Sequence, residues 1–251
     1  MKAGVLALQG AFREHAEVLE ALGVEPVEVR LPDHLSGVDA VFLPGGESTT
    51  IAKLLDSSGV QAALRSRLVD GLPVFGTCAG LILLANEVED EHGRSYPGAL
   101  DRLDCTVARN AYGRQRESFE ASLAVEGIEG AFPGVFVRAP VVTKVGPAVD
   151  VLATHDGHPV LLRRGTTWAA TFHPELSGDL RVHERFLAEV SGRGVGTLRR
   201  RSLGYPPREL PSAGKKRAES PRDSPPKASP PSVQSVPGPE RPFRAEKEVT
   251  G

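Results

Sequence analysis

The residues with the types and spacing of acyl chemistry begin at Gly76-Thr77-Cys78-Ala79-Gly80, which follows the apolar run Pro73-Val74-Phe75. A reactive residue flanked by glycines at a strand-to-helix turn has the form of a nucleophile elbow. Glycine suits so sharp a turn because neighbouring side chains would collide. A thiol near a helix N-terminus meets partial positive charge that favours the thiolate. The free N–H groups there can also stabilise an oxyanion on an attacked carbonyl. Taken alone, Cys78 fits a packing role equally well, since free cysteine is among the most buried residue types.

A thiol nucleophile needs a base, and the base needs an orienting group. Of the seven histidines, His173 ends the apolar run Trp168-Ala169-Ala170-Thr171-Phe172 and precedes Pro174-Glu175. Glu175 is placed to hold the imidazole by its second nitrogen, and Pro174 stiffens the link. Cys78, His173 and Glu175 are therefore the expected catalytic set. His15, His34, His92, His155, His158 and His183 read as surface or turn residues. The two glycines of Gly45-Gly46-Glu47-Ser48 leave backbone N–H groups open to a carboxylate or an oxyanion. An ordinary Pro-Gly-Gly turn is the alternative, and the spaced Gly-Lys-Ser/Thr of a P-loop is absent. Arg109, in a polar stretch over 109–120, suits an α-carboxylate. Arg138 breaks the apolar run Val135-Phe136-Val137, so it is either a buried pair or a ligand contact. Cys105 reads as strand packing.

These residues need elements that bring them together. Residues 5–8, 27–31, 38–43 and 73–75 read as short strands. Helices are expected over 12–22, from a Ser48 cap through Leu55, over 60–69 and over 80–86. Alternation of this kind predicts an α/β fold: a three-layer, mainly parallel open sheet with helices on both faces. Sites in such sheets gather at the carboxyl ends of strands, where Cys78, His173 and Gly45 all fall. Further strands are expected over 101–108, 118–125, 135–137, 141–145, 151–154, 159–163 and 167–172, some of them antiparallel, before a helix over 179–190.

The 251 residues, 40% hydrophobic and 25% charged, suffice for one good-sized core with an appendage. The net charge of −2 hides an asymmetry, because residues 199–251 hold twelve Lys/Arg against six Asp/Glu. Eleven of the 21 prolines lie beyond Tyr205, so residues 193–251 read as a disordered basic tail attached to a domain over 1–192. Two cysteines make no disulfide framework, and a reducing cytoplasm is the default. No apolar run approaches the ~18 residues of a membrane span. The N-terminal run reads as a first buried strand rather than a signal peptide. No nucleic-acid motif is present, and an acidic body fits a small-molecule enzyme.

The elbow together with His173-Pro174-Glu175 resembles the triad class of glutamine amidotransferases, whose class I fold is flavodoxin-like. More narrowly, the chain is similar to the glutaminase subunits of two-subunit pyridoxal 5′-phosphate synthases. That likeness rests on residues 4–15, 43–50, Arg109-Asn110-x-Tyr112-Gly113-Arg114-Gln115, Ser118-Phe119-Glu120 and 135–140, in order. The resemblance implies that Cys78 attacks the side-chain amide of L-glutamine to form a γ-glutamyl thioester. It makes His173 the base and then the acid, and Glu175 its support. It implies that Gly46, Glu47, Ser48, Arg109, Val137 and Arg138 bind glutamine, and that the Gly45–Gly46 backbone helps form an oxyanion hole. Ammonia would pass to a synthase subunit in a large hetero-oligomer. No metal or cofactor is implied, pyridoxal 5′-phosphate being the pathway product. The other readings open on this scaffold are an elbow-cysteine enzyme of the peptidase or deglycase sort and a non-catalytic regulatory module.

Overall fold

The structure, a computed structural model, describes residues 1–90, 92–96, 98–109 and 118–192. The tail read as disordered, and most of the polar stretch after Arg109, lie outside the described residues.

In chain order the elements begin β1 (Lys2–Leu6), α1 (Phe12–Ala21), β2 (Glu25–Val29), β3 (Ala40–Leu43), α2 (Ser48–Ser57), α3 (Val60–Val69), β4 (Val74–Thr77) and α4 (Ala79–Leu84). They continue β5 (Ala85–Glu89), β6 (Ser95–Tyr96), β7 (Leu103–Ala108), β8 (Ser118–Ala124), β9 (Ala131–Val137), β10 (Val141–Val145), β11 (Asp150–His155), β12 (His158–Arg164), β13 (Thr167–Ala170) and α5 (Arg181–Ser191). One sheet of seven strands runs β11-β12-β13-β4-β3-β1-β2. The pairs from β13 to β2 are parallel, while β13-β12 and β12-β11 are antiparallel. Pro26 lies in β2, an edge strand, where a missing N–H breaks no central ladder.

The central strands are apolar on both faces because both are covered. On one face Val41, Leu43, Val74 and Ala169 pack with Ile51, Leu55, Leu64 and Leu68 of α2 and α3. On the other, Phe42, Phe75, Trp168 and Ala170 pack with Leu19 of α1 and Phe186 and Leu187 of α5. Alternate residues of a strand face opposite ways, so each strand serves two cores. The three-layer, mainly parallel sheet is the expected one, with the antiparallel pairs extending one edge.

Two features differ from expectation. The helix after the elbow stops at Leu84, and the chain turns at once into β5, an element absent from the sequence reading. With β6, β7 and β10 it forms a separate four-stranded sheet, and β8 and β9 form a two-stranded one. β5 lies between β6, which it pairs antiparallel at Val88↔Tyr96, and β7, which it pairs in parallel at Ala85↔Leu103, and no local pattern reports the second of these. The other difference is the cap of α2. Its N-cap is Glu47, whose carboxylate accepts from the N–H groups of Thr49 and Thr50, and Ser48 is the first helical residue. Among the described residues, no helix is long and apolar enough to cross a membrane.

Gly80 lets α4 lie directly on the end of β3. A Cβ there would sit 2.1 Å from the Leu43 carbonyl oxygen, a backbone atom with little freedom to move. Gly80→Ala is expected to destabilise the fold by about 1–3 kcal/mol, read as a lower urea midpoint at unchanged slope. An unchanged midpoint would show that α4 is free to shift.

Candidate active site

Parallel pairing fixes where the chemistry collects. Strands β1, β3, β4 and β13 are neighbours pointing one way, so their carboxyl ends share an edge. Gln9 follows β1, Gly45-Gly46-Glu47 follows β3, Cys78 follows β4, and His173 follows β13. Residues as far apart in the chain as Gly45 and His173 thus meet for a topological reason.

Cys78 is the N-cap of α4, with φ 50° and ψ −101°. A positive φ is uncommon for a non-glycine residue and marks the strained turn of an elbow. Its own N–H donates to the Ala170 carbonyl at 2.8 Å, tying the elbow to β13. The side chain is 7% exposed, and its thiol lies 3.9 Å from the Val137 carbonyl oxygen, which it can use as acceptor.

His173 is positioned from both sides of the chain. Its N–H donates to the Val135 carbonyl of β9 at 2.8 Å. Pro174 then opens a 3-10 turn, Pro174–Leu176, that swings Glu175 back toward the ring. Nδ1 and Glu175 Oε1 are 2.7 Å apart, the short contact of a charge-assisted pair. With Nδ1 so engaged, Nε2 is the nitrogen left for the Cys78 thiol, with which His173 also pairs. Gly45 makes room for the imidazole, since a Cβ there would sit 2.2 Å from His173 Cε1.

Burial disfavours the charged form of His173, but the hydrogen bonds to Cys78 and Glu175 outweigh it and hold the imidazole well above its ordinary value. Burial likewise works against an ionised Glu175. The neighbouring His15 and His173 reverse that and hold the carboxyl below its usual range. The site is therefore preset to keep its carboxylate charged and its imidazole protonated. Cys105, by contrast, is pushed up to about 12 by burial and packs inertly in β7, as expected.

The glutamine-binding set from the sequence is brought only partly together. The N–H of Glu47 donates to Gln9 Oε1 at 2.9 Å, which steadies the loop after β3. The Glu47 side chain is committed to the cap, with Thr50 Oγ1 donating to it at 2.6 Å. Arg109 reaches this loop, its guanidinium 3.4 Å from Glu47 Oε1 and 3.1 Å from Thr49 Oγ1. Ser48 is buried and Gly46 exposed. Val137 borders Cys78 through its carbonyl. Arg138 is exposed with φ 42°, which rules out the buried ion pair. A cavity of about 520 Å³ opens alongside, with Ser48, Thr49 and Arg109 on its wall, but Cys78 does not line it. The geometry at the strand ends locates the chemistry better than that cavity does.

Two histidines read as surface residues are not. His15 and His183 are 0% exposed and lie directly behind the catalytic set. His15 Nε2 lies 3.1 Å from Thr77 Oγ1 and 3.5 Å from Glu175 Oε2, and its Nδ1 lies 3.1 Å from His183 Nε2. The signal for both was helical spacing. His15 stands three after Phe12 and four before Leu19, and His183 stands three after Leu180 and four before Leu187, on the apolar faces. Thr77 was missed as well, and no spacing marks it.

Residues 5–192 match the family described as SNO glutamine amidotransferase. The chain is 50% identical over 198 residues to "Pyridoxal 5′-phosphate synthase subunit PdxT" of Ignicoccus hospitalis, covering 76% of this chain and 100% of that one. It is 53% identical over 184 residues to the protein of the same name from Streptomyces coelicolor, covering 73% of this chain and 90% of that one. Among solved structures, one described as a glutamine amidotransferase superposes with a TM-score of 0.70 at 50% identity, over 75% of this chain and 98% of that one. The structure of PurLQS from Thermotoga maritima shares the fold at 17% identity and a TM-score of 0.53, over 76% of this chain and 95% of that one.

The pair His173–Glu175 makes stability depend on pH in two windows. Glu175 is depressed when folded, so its contribution is present above the ordinary carboxylate value of 4.5 and is lost as pH falls below it. His173 is raised, so its contribution is complete below 6.5 and is lost as pH rises above that. Glu175→Gln is expected to flatten both limbs in thermal melts run across pH. Limbs identical to wild type would mean that the pair is not ionised as described.

Proposed function

The chain belongs to the SNO glutamine amidotransferase family, and from that premise we propose the roles of its residues. The protein is a glutaminase subunit that hydrolyses L-glutamine to L-glutamate and ammonia, the ammonia feeding pyridoxal 5′-phosphate synthesis in a synthase partner.

With the proton of the thiol already resting on His173 Nε2, Cys78 Sγ attacks the amide carbon of glutamine. Glu175 Oε1 accepts from Nδ1–H throughout and supports the imidazolium. The tetrahedral intermediate collapses when Nε2–H protonates the amide nitrogen, which leaves as ammonia, and a γ-glutamyl thioester remains on Sγ. His173, neutral again, takes a proton from water. The hydroxide adds to the thioester, glutamate leaves, and the thiol is restored. The route splits attack on an unreactive amide into two lower barriers. The Gly45–Gly46 backbone helps to stabilise the oxyanion. Gly46, Glu47 and Ser48 hold glutamine with Arg109, Val137 and Arg138. Because the Glu47 carboxylate is committed to capping α2, its share comes from the backbone, and Arg109 is assigned to the α-carboxylate.

The observation that supports this reading best is the His173–Glu175 pair, 2.7 Å apart, brought with Cys78 to the shared carboxyl edge of β4 and β13. The chemistry draws on no metal or cofactor. We place the amidotransferase domain at residues 1–192 and the working protein in the cytoplasm, within a large hetero-oligomer with its synthase. The tail over 193–251 is dispensable for turnover on this reading.

Cys78→Ala is expected to lower ammonia release from glutamine by at least about a thousandfold, with the fold and the capture of the synthase subunit retained. Wild-type turnover in that variant, assayed with the synthase present, would end the assignment.

A further inference from the structure

The proposed chemistry uses Cys78, His173 and Glu175, yet the hydrogen-bonded chain does not stop at Glu175. His15 comes from α1, His183 from α5 and Thr77 from β4, and all three are sealed from solvent. Phe42 packs against both imidazoles, its centroid 5.6 Å from His15 and 5.7 Å from His183, and lies stacked on the latter at 16°. Phe75 closes the other side of His183 at 5.8 Å. With the rings held this way, each nitrogen has a determinable role.

His183 Nδ1 has no hydrogen-bond partner among the described residues. A buried orphan donor is rarer in folded proteins than an under-used acceptor, so this nitrogen is the unprotonated one. The proton of His183 then lies on Nε2 and is donated to His15 Nδ1 across 3.1 Å. With Nδ1 accepting, His15 must carry its proton on Nε2. That N–H donates to Thr77 Oγ1 at 3.1 Å, and Glu175 Oε2, which has no hydrogen-bond partner among the described residues, lies 3.5 Å from the same nitrogen. The opposite tautomer would leave an orphan N–H on His183 and turn a lone pair of His15 toward a carboxylate. Thr77 Oγ1 also lies 3.5 Å from Glu175 Oε1, so its hydroxyl completes the cradle.

We propose that His15 is a positioning residue for the catalytic carboxylate, presenting an N–H to Glu175 Oε2 so that Oε1 stays aimed at His173, with His183 setting which nitrogen of His15 bears the proton. Its role rests on the triad reading above. His15 acts as a neutral donor: burial keeps its imidazole below the ordinary value, against the pull of Glu175. The groups facing it are Glu175 and His173 from the segment after β13, Thr77 from β4, His183 from α5, and Glu14 on its own helix. A separation of 3.5 Å is long for a hydrogen bond, and such contacts often tighten only in the reacting complex. Without the N–H, Oε2 faces an apolar interior. The carboxylate then turns away or takes up a proton, and His173 loses its support.

The test compares His15→Leu, which removes the donor, with His15→Gln, whose amide nitrogen reaches the Nε2 position, and His15→Asn, whose amide reaches only that of Nδ1. Two readouts are taken. One is glutamine turnover with the synthase subunit bound. The other is the rate of iodoacetamide alkylation of Cys78, mapped by peptide mass across pH on either side of neutrality. His15→Leu and His15→Asn are expected to lose about ten- to a hundredfold in kcat with KM unchanged, and to shift the alkylation profile to higher pH. His15→Gln is expected to stay near wild type in both. In a Glu175→Gln background His15→Leu should cost nothing further, because the residue it acts through is gone. If Glu175→Gln slows both readouts while His15→Leu and His15→Asn match wild type, this inference fails and the triad stands. If Glu175→Gln itself changes neither readout, the triad reading fails first. Should His15→Leu not fold, the contrast between Gln and Asn decides the matter, and equal kcat in those two overturns the proposal.

Discussion

The side chain of Glu175 is ionised and wholly shielded from water. A carboxylate buried without partners costs several kcal/mol, more than any one contact returns. It is held only because four segments converge on it: the turn carrying His173, the end of β4 with Thr77, α1 with His15, and behind it α5 with His183. The helices α1 and α5 lie on one face of the sheet, so their apolar packing against Phe42 and Phe75 is also what brings the carboxylate its partners. Core and site are therefore one structure on that side of the molecule.

The opposite face does a different task. There α2 and α4 start shortly after β3 and β4, which puts the Gly45-Gly46-Glu47 loop and Cys78 at helix beginnings. Close approach is what makes this possible. Gly80 brings α4 onto the Leu43 carbonyl, and Gly45 lets the imidazole lie against the loop after β3. A side chain at either position would separate groups that have to act within a few ångströms of each other. The strained φ of Cys78 belongs with this tightness, held by its N–H bond to Ala170 in the neighbouring strand.

Much of this was legible from residues alone. The elbow glycines declare the turn, since few other residues permit it, and His173-Pro174-Glu175 declares an imidazole with a carboxylate within reach. The alternation of apolar strands and amphipathic helices declares the sheet. Less legible were features whose causes lie far away in sequence. Strand β5 is held between β6 and β7, and β7 joins it from across a long loop. Glu47, rather than Ser48, caps α2, because the longer carboxylate reaches two N–H groups at once. Arg138, which interrupts an apolar run, turns out to solvent through a left-handed backbone. His15 and His183 were misread because a histidine between charged residues looks solvated, although their helical spacing already put them on the inner faces.

What the sequence determined by itself was the chemistry and the class of fold, because residue type and short-range spacing carry both: a thiol between glycines, a histidine two residues from a glutamate, strands and helices in alternation. What only the tertiary structure decided was the company those groups keep. Parallel pairing of β1, β3, β4 and β13 set their ends on one edge, and the packing of α1 against α5 joined two histidines 168 residues apart behind the catalytic carboxylate. Such a contact lies between side chains on separate helices. It depends on how those helices rotate and settle on the sheet, and no local stretch of chain specifies that.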